Sequence, residues 1–250
     1  LFFLRFLARG IKGLVIIMTI QDKDISKNFN AIPVQPRIVI SGRRTHRSFS
    51  PYSRIFKRVL DLVLVIAAMP IVVPMILLLA FLVALDGHNP FYSQKRVGRN
   101  GREFRMWKLR SMVHDAEARL QNHLETNVEA RAEWNSKQKL AHDPRITRLG
   151  RVLRKSSLDE LPQLLNVLTG DMSLVGPRPM MPEQRQMYPG VAYFDMRPGV
   201  TGYWQISDRN QTSFAARASF DVRYYNDMSL GTDLKVLTQT VGVVLRGTGC

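Results

Sequence analysis

Between Leu62 and Leu85 the chain runs for 24 residues without a charge, built almost entirely from Val, Ile, Leu, Ala, Met and Phe. A run above about 18 such residues is the signal of a membrane segment. It begins too far into the chain to be a secretory signal peptide. As a straight helix it would measure about 36 Å, enough to cross the hydrocarbon core with some tilt. Two features argue against a simple crossing. Pro70 and Pro74 sit in its middle, where proline removes a backbone donor and kinks a helix. The flanks also carry one sign: Arg43, Arg44, Arg47, Arg54, Lys57 and Arg58 precede the run, and Lys95, Arg96, Arg99, Arg102 and Arg105 follow it, against Asp86 and Glu103. A crossing helix should show positive charge mainly on one side. A kinked helix that enters and leaves by the cytoplasmic leaflet satisfies both observations, each arm of about 12 residues covering about 18 Å. An ordinary proline-kinked span is the alternative.

Charge narrows the partners. Lys and Arg number 36 against 20 acidic residues, a formal charge of +16. An excess of that size points to a polyanion: nucleic acid, anionic lipid headgroups or phosphorylated substrates. The single cysteine, Cys250, excludes an internal disulfide framework and a Cys-based zinc cluster. The five histidines form no HExxH pair, which argues against a His-ligated catalytic zinc.

Three regions follow. Residues 1–50 read as a basic, flexible tail. Its apolar start, Leu1–Ile17, is interrupted by Arg5, Arg9 and Lys12, and is either a basic amphipathic segment on the membrane or sequence upstream of a true start at Met18. Residues 51–90 hold the membrane helix and its flanks. Residues 91–250 read as a globular domain. There Phe91–Val97 and Glu103–Leu109 flank Gly98-Arg99-Asn100-Gly101, whose Asn-Gly step favours a hairpin. Val113–Leu140 reads as a long helical region that His142-Asp143-Pro144 ends. Ile146–Lys155 is amphipathic, with Ile146, Leu149 and Leu153 opposite Arg148, Arg151 and Lys155. Leu158–Leu168 is a helix closed by Gly170. Val175–Asn210 is loop with short strands. Ser213–Asn226 and Thr232–Leu245 are helices, the second with a stripe of Leu234, Leu237, Val241 and Val244.

The chemistry concentrates around Arg154-Lys155-Ser156-Ser157-Leu158-Asp159-Glu160-Leu161-Pro162-Gln163. Two readings stand side by side. In the structural one, Ser157 and Glu160 form a capping box at a helix start, with Pro162 tolerated in the first turn. In the functional one, the helix-terminal amides keep Asp159 ionised and attract phosphate. Asp159 is then a nucleophile towards phosphorus, Glu160 holds Mg²⁺, and Arg154 reaches a phosphoryl oxygen. Lys108 and Arg110 in Trp107-Lys108-Leu109-Arg110-Ser111-Met112 fall on the same side of a strand. Arg178 is fixed between Pro177 and Pro179, which lowers the entropy cost of holding its guanidinium. Trp204, after Arg197-Pro198-Gly199-Val200-Thr201-Gly202, either stacks on a base, sits at a membrane interface or packs in the core.

These segments in series resemble the bacterial sugar transferase family, the monotopic polyprenyl-phosphate phosphoglycosyl transferases. The series is Lys57-Arg58 before a proline-broken helix, Trp107-Lys108-Leu109-Arg110-Ser111-Met112, Asp143-Pro144-Arg145, Leu158-Asp159-Glu160-Leu161-Pro162-Gln163, Gly176-Pro177-Arg178-Pro179 and Arg197-Pro198-Gly199-Val200-Thr201-Gly202, over about residues 51–246. The likeness is to the short exopolysaccharide-initiating type. It implies transfer of a sugar-1-phosphate, galactose or glucose, from a UDP-sugar to undecaprenyl phosphate, with Asp159 as nucleophile, a covalent phosphosugar intermediate, release of UMP, and Glu160 with Mg²⁺. Lys108, Arg110, Arg145, Arg154, Arg178 and Gln163 are implied to bind substrate. Lys57, Arg58, Met69 and Pro70 fall on the membrane motifs. Met69-Pro70 departs from the family's Ser-Pro and removes a hydroxyl that could cap the freed carbonyls. The expected fold is α/β, mostly helical with a small β component, a membrane-embedded re-entrant helix and interfacial amphipathic helices. The expected partners are the UDP-sugar, undecaprenyl phosphate and the lipid bilayer, with no nucleic acid and homo-oligomer formation left open. The expected place is the bacterial inner (cytoplasmic) membrane, catalytic domain on the cytoplasmic face. The competing reading is a basic, membrane-tethered binding or scaffold protein without catalysis. That reading has no use for an acidic pair set in basic sequence.

Overall fold

The Asn-Gly step sets the first piece of the globular fold. In the computed structural model Asn100 (φ 59°) and Gly101 (φ 75°) both take positive φ, which Asn and Gly accept most readily, in a three-residue loop, Arg99–Gly101, closed by the Gly98 amide donating to the Arg102 carbonyl at 2.6 Å. The strands β1 (Phe91–Val97) and β2 (Glu103–Leu109) then pair antiparallel from Val97↔Glu103 to Phe91↔Leu109. The structure describes residues 51–137, 140–207 and 214–245, all within the unit Ile38–Cys250. The tail 1–50, Ser213 and Cys250 lie outside them.

Helices make up most of the remainder. In chain order they are α1 (Lys57–Ala84), α2 (Ala116–Thr126), α3 (Val128–Lys137), α4 (Arg148–Ser156), α5 (Gln163–Thr169), the short α6 (Ala192–Asp195) and α7 (Tyr203–Ile206), α8 (Arg217–Asp227) and α9 (Leu230–Leu245). A second, parallel pair joins β3 (Ser173–Val175) to β4 (Gly199–Thr201), Ser173 opposite Gly199 and Val175 opposite Thr201. The chain is mostly helical with a small sheet component, as expected.

Among the described residues α1 is the helix long and apolar enough to cross a membrane. Its 28 residues rise about 42 Å, and Pro70 and Pro74 lie inside it without ending it. Asp61, Val65, Val72, Ala80 and Val83 are buried, while Ile66, Ile71, Leu77, Leu78 and Phe81 are exposed. Both ends of α1 are tied to the globular part. At the first turn Arg58 donates to the carbonyls of Val167 (2.5 Å) and Leu168 (2.9 Å). Asp61 accepts from Ser173 Oγ (2.7 Å) and the Leu174 amide (3.1 Å). At the other end Ala80 and Val83 pack with Leu109 and Leu153, each of the buried Val and Leu side chains contributing about 1.5–3 kcal/mol.

Four expectations are corrected. The region 113–140 is two helices, because Asn127 leaves helical geometry and its Oδ1 caps α3 by accepting from the Ala130 amide at 2.9 Å. The helix placed at Leu158–Leu168 is a 3₁₀ turn, Leu158–Glu160, followed by α5, which starts only after Pro162 and closes at Gly170 with φ 92°. The helix placed at Ser213–Asn226 is ordered as α8 from Arg217. On α9 only Leu237 of the expected stripe packs against the core: Val236 and Asp233 are buried, whereas Leu234, Val241 and Val244 are exposed. Asp233 decides this, because its carboxylate accepts from Tyr52 (2.6 Å), Lys57 (2.7 Å) and Tyr224 (2.7 Å) and turns that side of the helix inward.

Candidate active site

The acidic pair is placed by a reversal at the end of α4. Thr147 caps α4, its Oγ1 accepting from the Gly150 amide at 2.8 Å. A Cβ on Gly150 would come within 1.9 Å of the Ser111 carbonyl oxygen, so only glycine lets α4 press against the end of β2 here. At its far end Ser157 adopts the left-handed conformation (φ 58°, ψ 18°), and its amide donates back to the last carbonyls of the helix. The capping box expected at Ser157 is therefore absent: Ser157 makes no side-chain cap and ends α4. The reversed chain carries Asp159 inward to 6 % exposure.

Lys108 meets the pair from β2. Its Nζ lies 2.6 Å from Glu160 Oε1 and 3.7 Å from Asp159 Oδ2. Burial pushes the Asp159 carboxyl above the ordinary carboxylate range, the Glu160 charge adds to this, and Lys108 and Arg154 oppose it. The sequence reading held that helix amides keep Asp159 ionised. Here the counter-charges come mainly from two cationic side chains. Arg154 is held by its Nε donating to Ser111 Oγ at 2.9 Å.

The remaining wall comes from the β3–β4 pair. A Cβ on Gly199 would stand 2.1 Å from the Gly176 amide nitrogen, so two glycines are needed for the loops after β3 and before β4 to touch. That contact sets Arg178 beside Gly199, Val200 and Gln205, facing Lys108, Glu160 and the buried Gln163 across an open cleft of about 570 Å³. The Arg178 guanidinium lies 5.3 Å from the Trp204 ring centroid. Trp204 is thus a buried platform under an arginine of the cleft.

The expected substrate-binding set divides. Lys108, Gln163 and Arg178 line the cleft, and Arg154 acts on Asp159 from its edge. Arg110 does not join them. β2 ends at Leu109, so the alternation that would aim Arg110 with Lys108 stops one residue short. Its guanidinium instead grips Asp86 through both carboxylate oxygens (2.7 and 2.6 Å) and the Val83 carbonyl (3.1 Å). Arg145 is likewise engaged elsewhere, donating to Asp143 at 2.9 and 2.7 Å and lying 5.2 Å from the Trp134 ring. Lys57 and Arg58 anchor α1, and Met69 packs beside the Val65–Met106–Val167–Met172 cluster.

Sequence reasoning missed two cleft arginines, Arg96 and Arg217. Arg96 was reachable. The Asn100-Gly101 turn fixes the hairpin register, and the register puts Arg96, opposite Phe104, on the same face as Lys108, opposite Tyr92. Arg217 carries no local signal, since it arrives from α8 through tertiary packing.

Among the described residues no group of three or more His, Cys, Asp or Glu is arranged to hold a metal. Mg²⁺ characteristically takes one or two carboxylates and completes its octahedron with phosphate oxygens and water. The adjacent carboxylates of Asp159 and Glu160 are donors of that type, with Glu160 Oε1 also 2.6 Å from Lys108 Nζ.

Comparison with known proteins shows the family. The family model described as "Bacterial sugar transferase" matches residues 52–247. The UDP-galactose-lipid carrier transferase of Erwinia amylovora is 47 % identical over 199 residues, which is 79 % of this chain and 42 % of that protein. The undecaprenyl-phosphate galactose phosphotransferase of Salmonella typhimurium is 45 % identical over 199 residues, with 79 % and 42 % covered. The exopolysaccharide production protein ExoY of Sinorhizobium fredii is 43 % identical over 202 residues, with 80 % and 89 % covered. The chain thus spans less than half of the first two relatives and nearly all of the third. A matched region that contains the whole cleft, from Arg96 through Glu160 to Arg217, places the chain in the bacterial sugar transferase family.

Proposed function

We propose that this chain transfers a sugar-1-phosphate, galactose or glucose, from a UDP-sugar to undecaprenyl phosphate, the step that initiates assembly of an exopolysaccharide repeat unit. The observation that carries the reading is the buried Asp159 carboxylate, 3.7 Å from the ammonium of Lys108, which with Glu160 lines a cleft that also holds three arginines. In the first step an Asp159 carboxylate oxygen bonds to the sugar-bearing phosphorus. The bond from that phosphorus to the bridging oxygen breaks, and UMP leaves with the electron pair. In the second step an oxygen of the lipid phosphate bonds to the same phosphorus and the Asp159 O–P bond breaks. The products are undecaprenyl diphosphate sugar and a free carboxylate.

Lys108 and Arg154 oppose the burial that raises the Asp159 pKa and offset negative charge that would repel the incoming phosphates. Glu160 would hold Mg²⁺, which when bound neutralises charge on the diphosphate oxygens. Gln163 and Arg178 orient the donor. The proline-containing α1 is read as re-entrant, with residues 91–250 on the cytoplasmic face of the inner membrane. Its support is that Arg58 near one end and Arg110 at the other bind α1 to the same globular part. That placement sets the site between a soluble nucleotide sugar and a headgroup-level lipid phosphate.

UMP release by detergent-solubilised protein tests the reading, using a panel of UDP-sugars with Mg²⁺, with and without undecaprenyl phosphate. Lipid-dependent release with one sugar, lost in Asp159→Asn, is the expected result. Folded protein that releases no UMP from any UDP-sugar would sink it and favour a non-catalytic membrane-tethered protein.

A further inference from the structure

Among the described residues β1 and β2 form a two-stranded ribbon. The outer edge of β2 therefore faces no strand, and its backbone groups there need other partners. One side chain supplies them. Asn166 Oδ1 accepts from the Trp107 amide at 3.1 Å, and its Nδ2 donates to the Arg105 carbonyl at 2.8 Å. A carboxamide offers an acceptor and a donor side by side, as a third strand would. Asn166 is 3 % exposed, and a buried amide is costly unless it is bonded in this way. Around it Met106 packs with Val65, Val167 and Met172. Such apolar contacts are non-directional and let a strand slide along its axis, which two aligned hydrogen bonds do not. Lys108 follows Trp107, and its Nζ sits 2.6 Å from Glu160 Oε1 and 3.7 Å from Asp159 Oδ2. The helix α5 that carries Asn166 is separated from the acidic pair by Leu161 and Pro162 alone. Just beyond Asn166, Arg58 binds the carbonyls of Val167 and Leu168. The stretch of chain that carries both carboxylates thus also grips the strand that carries their ammonium.

Resting on the transferase reading above, we propose that Asn166 is a positioning residue for the reaction: by gripping β2 on both sides of Met106 it fixes the spacing between Lys108 and the Asp159–Glu160 pair. Asn166 does not line the cleft, so it acts through Lys108. Two adjacent carboxylates share that one ammonium, Glu160 at the shorter distance. Should β2 retreat by about 1 Å, a fraction of the rise of one strand residue, Lys108 would stay with Glu160 and its charge would be withdrawn from Asp159. Burial already raises the Asp159 carboxyl, and Lys108 is the largest of the charges opposing it. With that charge withdrawn, Asp159 holds its proton to higher pH and is a nucleophile in a smaller fraction of molecules.

Single-turnover UMP release by the detergent-solubilised full chain is measured against pH for wild type, Asn166→Leu, Asn166→Ala, Lys108→Ala and the double variant Asn166→Ala with Lys108→Ala. Thermal melts establish folding. Asn166→Leu keeps the bulk of the side chain and loses both hydrogen bonds, so it separates the grip on β2 from the filling of space. Each Asn166 variant should slow release about 10- to 100-fold and move the acid limb to higher pH, in the direction of Lys108→Ala. In steady-state turnover KM for the UDP-sugar should stay within about 2-fold of wild type. In the Lys108→Ala background, Asn166→Ala should cost less than about 3-fold more, because the two changes act through one contact. Folded Asn166 variants with an unmoved acid limb, or with the same loss whether or not Lys108 is present, overturn the assignment and leave Asn166 a structural residue. Hydrogen exchange on wild type needs no substitution: the Trp107 amide should exchange slowly although it lies on an edge without a neighbouring strand, and fast exchange overturns the grip itself. Wild-type protein that releases no UMP overturns the transferase reading, whereas active wild type with additive variants overturns the role of Asn166 alone.

Discussion

Lys108 Nζ stands 3.7 Å from Asp159 Oδ2, close enough to oppose the burial that would otherwise keep the carboxyl neutral. Asp159 remains raised above the ordinary aspartate pKa, burial outweighing Lys108. A protonated Asp159 cannot attack phosphorus, so the donor half-reaction loses rate as pH falls through that raised value. The acid limb of single-turnover UMP release is expected above pH of about 3.9. Lys108→Ala should move it to still higher pH and slow the reaction about 100-fold. A limb that Lys108→Ala leaves in place would separate Lys108 from the nucleophile.

Ser157 holds a backbone conformation that favours glycine (φ 58°). Ser157→Gly should be neutral or stabilising by up to about 1 kcal/mol while preserving activity. Ser157→Val should cost about 1–2 kcal/mol and lower activity, because the reversal that aims Asp159 inward is strained. Thermal melts and UMP release on the two variants check this, and equal behaviour would contradict it.

Arg110 binds Asp86 and the Val83 carbonyl beside the end of α1. Arg110→Ala is expected to lower the melting temperature while leaving KM for the UDP-sugar near wild type. Asp86→Ala should reproduce the effect more weakly, and the double variant should be no less stable than Arg110→Ala. A selective rise in donor KM for Arg110→Ala would return this residue to the cleft.

Asp221 is pushed up to about 7 by burial, against the pull of the Tyr188 hydroxyl and Arg217. A carboxyl raised on folding binds its proton more tightly in the native state. Its contribution to stability is therefore full below the unfolded value of about 3.9 and is lost as pH rises through about 7. Asp221→Asn, which still offers an acceptor to Tyr188, should melt above wild type at pH about 8 and show less decline across that window. Parallel melting curves for the two proteins would contradict the shift.

Much of this was legible from the sequence where the physics is local. The Asn100-Gly101 turn, the amphipathic α4 and the Gly170 stop all follow from conformational preference and periodicity, and all appear in place. The acidic pair was legible as a motif, but its setting was not. Ser157 suits a cap and a left-handed turn alike, and the competition is settled by α4 ending against it. Arg110 shares the parity of Lys108 yet falls just past the strand, where Asp86 captures it. Arg217 was invisible, because its place depends on α7 and α8 meeting over Trp204.

The most direct test of the central claim is the intact mass of the protein after incubation with Mg²⁺ and UDP-galactose or UDP-glucose, without lipid. The account predicts a gain of one hexose phosphate with one of these donors, mapped to the peptide containing Asp159, absent in Asp159→Asn, and discharged when undecaprenyl phosphate is added. An adduct of equal yield in Asp159→Asn, or lipid-dependent turnover in which no adduct forms, would contradict it.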